Sequence, residues 1–176
     1  MSDLELLVVN HPFWQGLRRE FLPLVVESAR LVRFGVGDLI FQERQEATRL
    51  YLVQLGQVAL EVFLPGRGVT TLQILRPGDA LGWSWMFPPS PWHYSARSVD
   101  AVETLEFDAL YLRQRASENP AFGLALYTRM TRVLLQRLQA TRLKLEEFHY
   151  FNASRPLDDC LGEVDEESDP DDYPSP

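Results

Sequence analysis

The feature that most constrains this chain is an alternation running from residue 31 to residue 110. The stretches LVRFGVGDLIF, RLYLVQLGQVALEVF, TTLQILRPGDALGW and YSARSVDAVETLEF carry strand-length apolar runs rich in Val, Leu, Phe and Tyr, bounded by Gly, Pro and polar residues. Repeated strand and turn signals at near-regular spacing predict a sandwich or barrel-like all-β unit. Leu64-Pro65-Gly66-Arg67-Gly68 reads as a hairpin loop within it.

Helical patterns flank this zone. Phe13, Leu17, Phe21, Leu24 and Val25 fall at helical spacing, and Pro23 is expected to split residues 12–30 into two short helices. After residue 109 the pattern turns helical again, with Asn119-Pro120 as a start signal and no further Pro before Pro156. Tyr127, Thr131, Leu134, Leu138, Thr141, Leu145 and Phe148 recur at alternating steps of four and three, as in a coiled-coil seam. A second row, Leu126, Met130 and Val133, is placed to face the domain body. Either the helix packs only on its own domain or the first row forms a homodimer seam; the homodimer is the expectation.

Charge excludes some functions. The net charge of −8 is carried by residues 152–176, which hold nine acids against Arg155, so residues 1–151 sum to zero. A neutral body with an acidic extension offers no footprint for phosphates, and direct DNA binding is not expected. That extension is also Pro-rich with few apolar residues, and reads as a disordered tail, 152–176, after a domain at 1–151. No apolar run approaches the length of a membrane span, and the N-terminus shows no cleavage-site pattern. A single cysteine, Cys160, fits a reducing compartment, so cytoplasm is the expected location and no membrane partner is expected.

Three motifs carry a resemblance. Phe34-Gly35-Val36-Gly37-Asp38-Leu39-Ile40-Phe41, then Leu50-Tyr51-Leu52-Val53-Gln54-Leu55-Gly56-Gln57-Val58, then Leu75-Arg76-Pro77-Gly78-Asp79-Ala80-Leu81-Gly82 resemble, in order and spacing, the signatures of cyclic-nucleotide-binding domains. The resemblance spans about residues 11–150, and the long helix is similar to the dimerisation helix of catabolite-activator-type regulators. It implies an α+β fold: a β-roll (double-stranded β-helix, or jelly-roll) flanked by N-terminal helices and a long C-terminal helix. It also implies a stand-alone effector domain, since no helix-turn-helix fits into residues 152–176. Arg44 stands where the family usually has another turn glycine.

The resemblance also says where a ligand would sit, and there the residues depart from the family. Its members hold cyclic nucleotides with a Glu just after the residue matching Gly82, which accepts from the ribose, and an Arg about ten residues later, which pairs with the phosphate. Here Trp83 holds the first position and the second falls within Trp92–Tyr94. His93, Ser84, Ser95 and Arg97 are the substitutes to weigh. His93 is only partly charged near neutrality, and Arg97 arrives three to five residues late. Trp83, Trp85, Trp92 and Tyr94, with Phe87, crowd twelve residues. Gly82, Trp83, Ser84, Trp85, Trp92, His93, Tyr94, Ser95 and Arg97 therefore form the candidate pocket. Three readings stay open: rings that fill the pocket or dock a protein partner, an aromatic pocket for a different small molecule, or atypical cyclic-nucleotide binding.

No catalytic constellation is visible. His11, His93 and His149 are widely spaced, and no cysteine cluster or phosphate-cradling Gly-Lys-Ser/Thr loop exists. The expectation is a non-catalytic regulatory or sensor module with a degenerate cassette, no metal and no cofactor. The alternative is a ligand-free protein-interaction module on the same fold.

Overall fold

The computed structural model describes residues 2–87, 89 and 91–153, and side chains as far as residue 146. The chain divides into two units, residues 1–136 and 137–176.

The first unit opens with helix α1, Asp3–Asn10, which the sequence reading left unassigned. A capping box starts it: Ser2 Oγ accepts from the Glu5 N–H, and Glu5 in return accepts from the Ser2 N–H at 2.7 Å. Two 3₁₀ turns, Pro12–Trp14 and Arg19–Phe21, lead to α2, Leu22–Glu27. Pro23 does not break a helix as expected. It lies in the first turn of α2, where its missing N–H has no intrahelical partner to lose.

Eight strands follow: β1 Ala29–Phe34, β2 Leu39–Phe41, β3 Arg49–Leu55, β4 Val58–Leu64, β5 Gly68–Leu75, β6 Ala80–Leu81, β7 Ser95–Ser98 and β8 Val102–Asp108. They form two antiparallel four-stranded sheets, β1-β8-β3-β6 and β2-β7-β4-β5. The chain crosses repeatedly from one sheet to the other, which makes the unit a jelly-roll, the expected fold class. The β4–β5 hairpin turns at the expected Leu64–Gly68 loop. Gly56, between β3 and β4, holds φ +82°, and a Cβ there would lie 2.3 Å from the Ala101 carbonyl oxygen. Only glycine fits both constraints.

Strand β3 is buried on both faces, from Leu50 to Val53. Trp14 meets Phe107 of β8 at 5.5 Å between ring centroids, so the N-terminal segment packs on this sheet. Helix α3, Ala109–Glu118, begins at Asp108, whose carboxylate accepts from the Leu110 and Tyr111 N–H groups. Helix α4, Pro120–Ala153, starts at the expected Asn119-Pro120, with Asn119 Oδ1 accepting from the Phe122 N–H. Leu126, Met130 and Val133, the row expected to face the body, are buried together with Phe122. The other row is largely open: Tyr127 and Thr131 are exposed and Leu134 is half-buried.

In the second unit α4 continues, with Arg142 paired to Glu146 across one turn. Leu138, Thr141 and Leu145 of the expected seam are exposed. The side chain of Phe148 lies outside the described residues, as does the expected tail from residue 154 on, with Cys160. The first two residues of that tail, Asn152 and Ala153, are helical.

Candidate functional site

The segment between β6 and β7 is led by Gly82 and held down at its far end. Gly82 has φ +86°, and an added Cβ would fall 2.9 Å from the Arg49 carbonyl oxygen and 2.9 Å from two carbons of the Trp92 ring. The missing side chain is therefore what lets the Trp92 indole lie against the backbone. The ring is buried and stacks on Phe41 at the end of β2, centroids 4.0 Å apart and planes 16° from parallel. Phe41 in turn stacks on Tyr51 of β3 at 6.0 Å. An aromatic column thus reaches from the segment across the roll to the opposite sheet.

The backbone around Trp92 is laddered to the β2–β3 loop. Trp92 N–H donates to the Gln45 carbonyl at 2.8 Å, and Arg44 N–H donates to the Trp92 carbonyl at 2.9 Å. Glu46 and Pro91 form a bridge, and the Glu43 N–H donates to Ser95 Oγ at 3.1 Å. Within that loop Arg44 holds φ +72°, the one non-glycine residue with positive φ among the described residues. The resemblance had placed a turn glycine there, and the backbone keeps the glycine conformation while the side chain is an arginine.

A second cluster lies at the start of the segment. Trp83 stacks on His93 at 4.8 Å with planes 20° apart, and its indole N–H donates to Tyr94 Oη at 2.5 Å. Ser84 Oγ and His93 Nδ1 are hydrogen-bonded at 2.9 Å. Ser84 is buried within the 3₁₀ turn Ser84–Met86, while His93 is exposed. The structure thus brings together Trp83, Ser84, His93 and Tyr94, and separately Gly82 and Trp92. The indole N–H of Trp83 and the hydroxyl of Ser84 are engaged by neighbours in the same segment.

The remaining candidates point elsewhere. Trp85 is 1% exposed, and its carbonyl accepts from Arg113 Nη1 on α3 at 3.3 Å. Arg97 alternates with buried Ala96 and Ser98 on β7. Its guanidinium binds Glu61 at 3.1 Å and the Gly37 carbonyl at 2.8 Å. Arg97 and Ser95 border a cleft of about 350 Å³ with Leu39, Glu43, Glu61 and Phe63. Another cleft of about 350 Å³ opens between the β2–β3 loop, Trp85 and α3. The sequence reading missed Phe41 and Arg113. Phe41 closes the first signature, but its partner lies 51 residues away, beyond any local spacing rule.

Burial shapes the ionisable groups. His11 is buried against β3, with Nε2 3.2 Å from the Val53 carbonyl, and burial holds its pKa below the usual imidazole value. The Tyr51 hydroxyl is pushed up, first by burial and then by the charge of Glu106. Among the described residues no group of three or more His, Cys, Asp and Glu side chains is placed to hold a metal ion. No described helix is long and apolar enough to cross a membrane.

Two four-stranded sheets rolled on each other, a glycine-led segment between β6 and β7, and flanking helices define a small β-roll domain. More particularly, the chain belongs to the cyclic nucleotide-binding domain family, whose model matches residues 31–119. It is 26% identical over 134 residues to the CRP-like cAMP-activated global transcriptional regulator of Mycobacterium tuberculosis, covering 76% of this chain and 58% of that protein. The chain thus spans less than two thirds of that relative's length. A Geobacter metallireducens structure assigned to cyclic nucleotide binding superposes with a TM-score of 0.68 at 28% identity, over 78% of this chain and 99% of that one. The catabolite activator protein of Thermus thermophilus shares the fold, with a TM-score of 0.62 at 24% identity over 79% of this chain and 63% of that one. The Mycobacterium and Thermus proteins carry regulatory names.

Proposed function

We propose that this chain is a non-catalytic regulatory domain whose roll is closed by its own aromatic rings. In this reading it does not grip cyclic nucleotides through the family's carboxylate and guanidinium. The observation that carries the reading is the position of Trp92: its ring fits against Gly82 and stacks on Phe41 inside the roll. A buried indole there offers neither a cation for a cyclic phosphate nor space for a ribose. The guanidinium that β7 carries, that of Arg97, is already bound to Glu61 and a carbonyl.

The regulatory output would run through α4, with its exposed row as the seam of a homodimer. A contact at the segment biases such a helix only if it prefers one arrangement over another. Phe87, 63% exposed in the same β6–β7 segment, favours a protein partner as the second reading. The neutral charge of residues 1–151 argues against direct contact with DNA, and the single cysteine fits a cytoplasmic setting.

Isothermal titration with adenosine and guanosine 3′,5′-cyclic monophosphate tests the proposal. The expected result is no saturable heat at nucleotide concentrations up to about 100 μM. Saturable binding at micromolar or tighter affinity overturns it.

A further inference from the structure

We infer that His11 is a proton-operated latch: a proton added to its ring opens the turn that follows it, residues 12–15, and loosens that turn's hold on α4. Both ring nitrogens are in use. Nε2 lies 3.2 Å from the Val53 carbonyl oxygen of β3, and Nδ1 lies 3.2 Å from the Phe13 backbone nitrogen. A carbonyl only accepts and an amide N–H only donates, so Nε2 carries the proton and Nδ1 offers its lone pair. One tautomer of the neutral ring satisfies both partners. A second proton has only Nδ1 to go to, where it meets the Phe13 N–H donor to donor. The charged ring therefore cannot cap the 3₁₀ turn Pro12–Trp14, whose first N–H the neutral ring holds.

The turn has room to open. Trp14 packs on Phe107, but its indole N–H is buried without an acceptor among the described residues. Gly16 follows at φ +70°, with nothing within 4 Å of the place a Cβ would take. Pro12, Phe13 and Gln15 line one wall of a cleft of about 240 Å³, and Arg129, Arg132 and Val133 of α4 line another. Two polar ties hold this part of the chain to its surroundings: the His11 ring to Val53, and Arg129 Nη2 to the Gln15 carbonyl at 3.0 Å. The second tie carries the state of the turn to α4. Arg129 Nη1 binds the Ala125 carbonyl one helical turn back, and opening removes the other carbonyl from the guanidinium.

The charges around the ring set the direction of the response. His11 is 3% exposed, so a charge there is costly. Asp79 of the β5–β6 turn attracts that charge, and Arg129 and Arg132 border the same cleft as Asp79. β3 presents the Val53 carbonyl, which also accepts from the Gly78 N–H at 2.9 Å. The acids of α1, Asp3 and Glu5, lie in its first turn, at the end away from His11. In the opened turn the ring reaches water and takes up a proton at its ordinary affinity. The open form thus binds the proton more tightly than the closed form, and its population rises as the pH falls below about 6.5. What the latch passes on rests on the reading of α4 as the output; the latch itself is tested without it.

The test is amide hydrogen exchange of the ¹⁵N-labelled full chain, corrected for the intrinsic pH dependence of exchange. Between about pH 7.5 and 5, exchange at Phe13, Gln15 and Leu17 should accelerate roughly tenfold relative to the amides of β3 and β8. His11→Gln, whose amide keeps a donor and an acceptor without titrating, should show no such acceleration. Arg129→Lys keeps the charge but loses the guanidinium's grip on two carbonyls. It should raise exchange at Gln15 about three- to tenfold at pH 7.5. No acceleration in the natural chain, or an equal one in the turn and the sheets, overturns the latch. An acceleration that persists in His11→Gln removes His11 as its cause, and unchanged exchange at Gln15 in Arg129→Lys overturns the link to α4. The natural chain decides the first point by itself, whether or not a variant folds. Assembly and nucleotide uptake enter none of these readouts, so failure of the latch is distinguishable from failure of the α4 output.

Discussion

The indole of Trp92 lies flat on the ring of Phe41, 4.0 Å between centroids, with Gly82 leaving room for it on one side. That stack links the end of β2 to the segment before β7, and β2 pairs with β7. A buried ring so placed stabilises the roll. Trp92→Ala is expected to cost about 3–5 kcal/mol, from lost transfer energy and the cavity left behind. Urea unfolding checks this; a cost below about 1 kcal/mol would mean that the ring is not a core element.

Arg44→Gly should move stability the other way. The arginine holds φ +72°, which an L side chain adopts at a cost. Glycine removes that cost but loses more chain entropy on folding, so the net gain expected is about 0.5–1 kcal/mol. A higher urea midpoint with an unchanged slope would establish it.

His11 makes stability depend on pH. Burial lowers its folded-state pKa below the usual imidazole value, while the backbone bond to Val53 and the nearby Asp79 act in the opposite sense. The unfolded chain therefore takes up the proton more readily. The contribution is fully present above about pH 6.5 and is lost as the pH falls toward the folded-state value. Urea unfolding between about pH 7.5 and 5 should show this decline in the natural chain and a shallower one in His11→Gln. Equal slopes would remove His11 as the cause.

Glu106 is a buried carboxylate on β8, bound by Arg30 at 2.5 Å and by Arg49 at 3.1 Å. Glu106→Gln leaves both guanidiniums without that charge and is expected to cost about 1–3 kcal/mol, discounted because Arg30 is largely exposed. The Tyr51 hydroxyl, raised by burial and by Glu106, should ionise late in an alkaline absorbance titration and earlier once Glu106 is neutralised. An unchanged tyrosine profile in the variant would argue against their coupling.

The exposed row on α4 predicts an assembly. Leu138 is 68% exposed and Leu145 is 56% exposed, large apolar side chains that an isolated helix has no reason to display in register. Light scattering after gel filtration should give a dimer mass for the natural chain and a monomer mass for Leu138→Glu/Leu145→Glu, with the roll's unfolding midpoint little changed. A natural chain that runs as a monomer at tens of micromolar would sink the seam.

The local grammar of the fold was legible in the sequence. Gly56 and the Leu64–Gly68 loop mark turns, Asn119-Pro120 starts α4, and Leu126, Met130 and Val133 describe the buried face of that helix. Each is written within a few residues, where backbone sterics and hydrophobic period act directly. Pro23 was misread because a proline that breaks a helix interior also suits its first turn, and composition alone does not say which place it holds.

The candidate site was only half legible. Its residues stood out by type, since Trp83, Trp85, Trp92, His93 and Tyr94 crowd one short segment. Which rings meet was decided by the tertiary structure. The register of β7 turns Ala96 inward and Arg97 toward Glu61, which removes that arginine from the roll. Pairing of the β2–β3 loop with the Trp92 backbone sets the indole on Phe41 and leaves Arg44 beside the α3 cleft. The sequence specifies strands and turns because those preferences are local; partners tens of residues apart are chosen by sheet register and close packing, which exist only once the chain has folded.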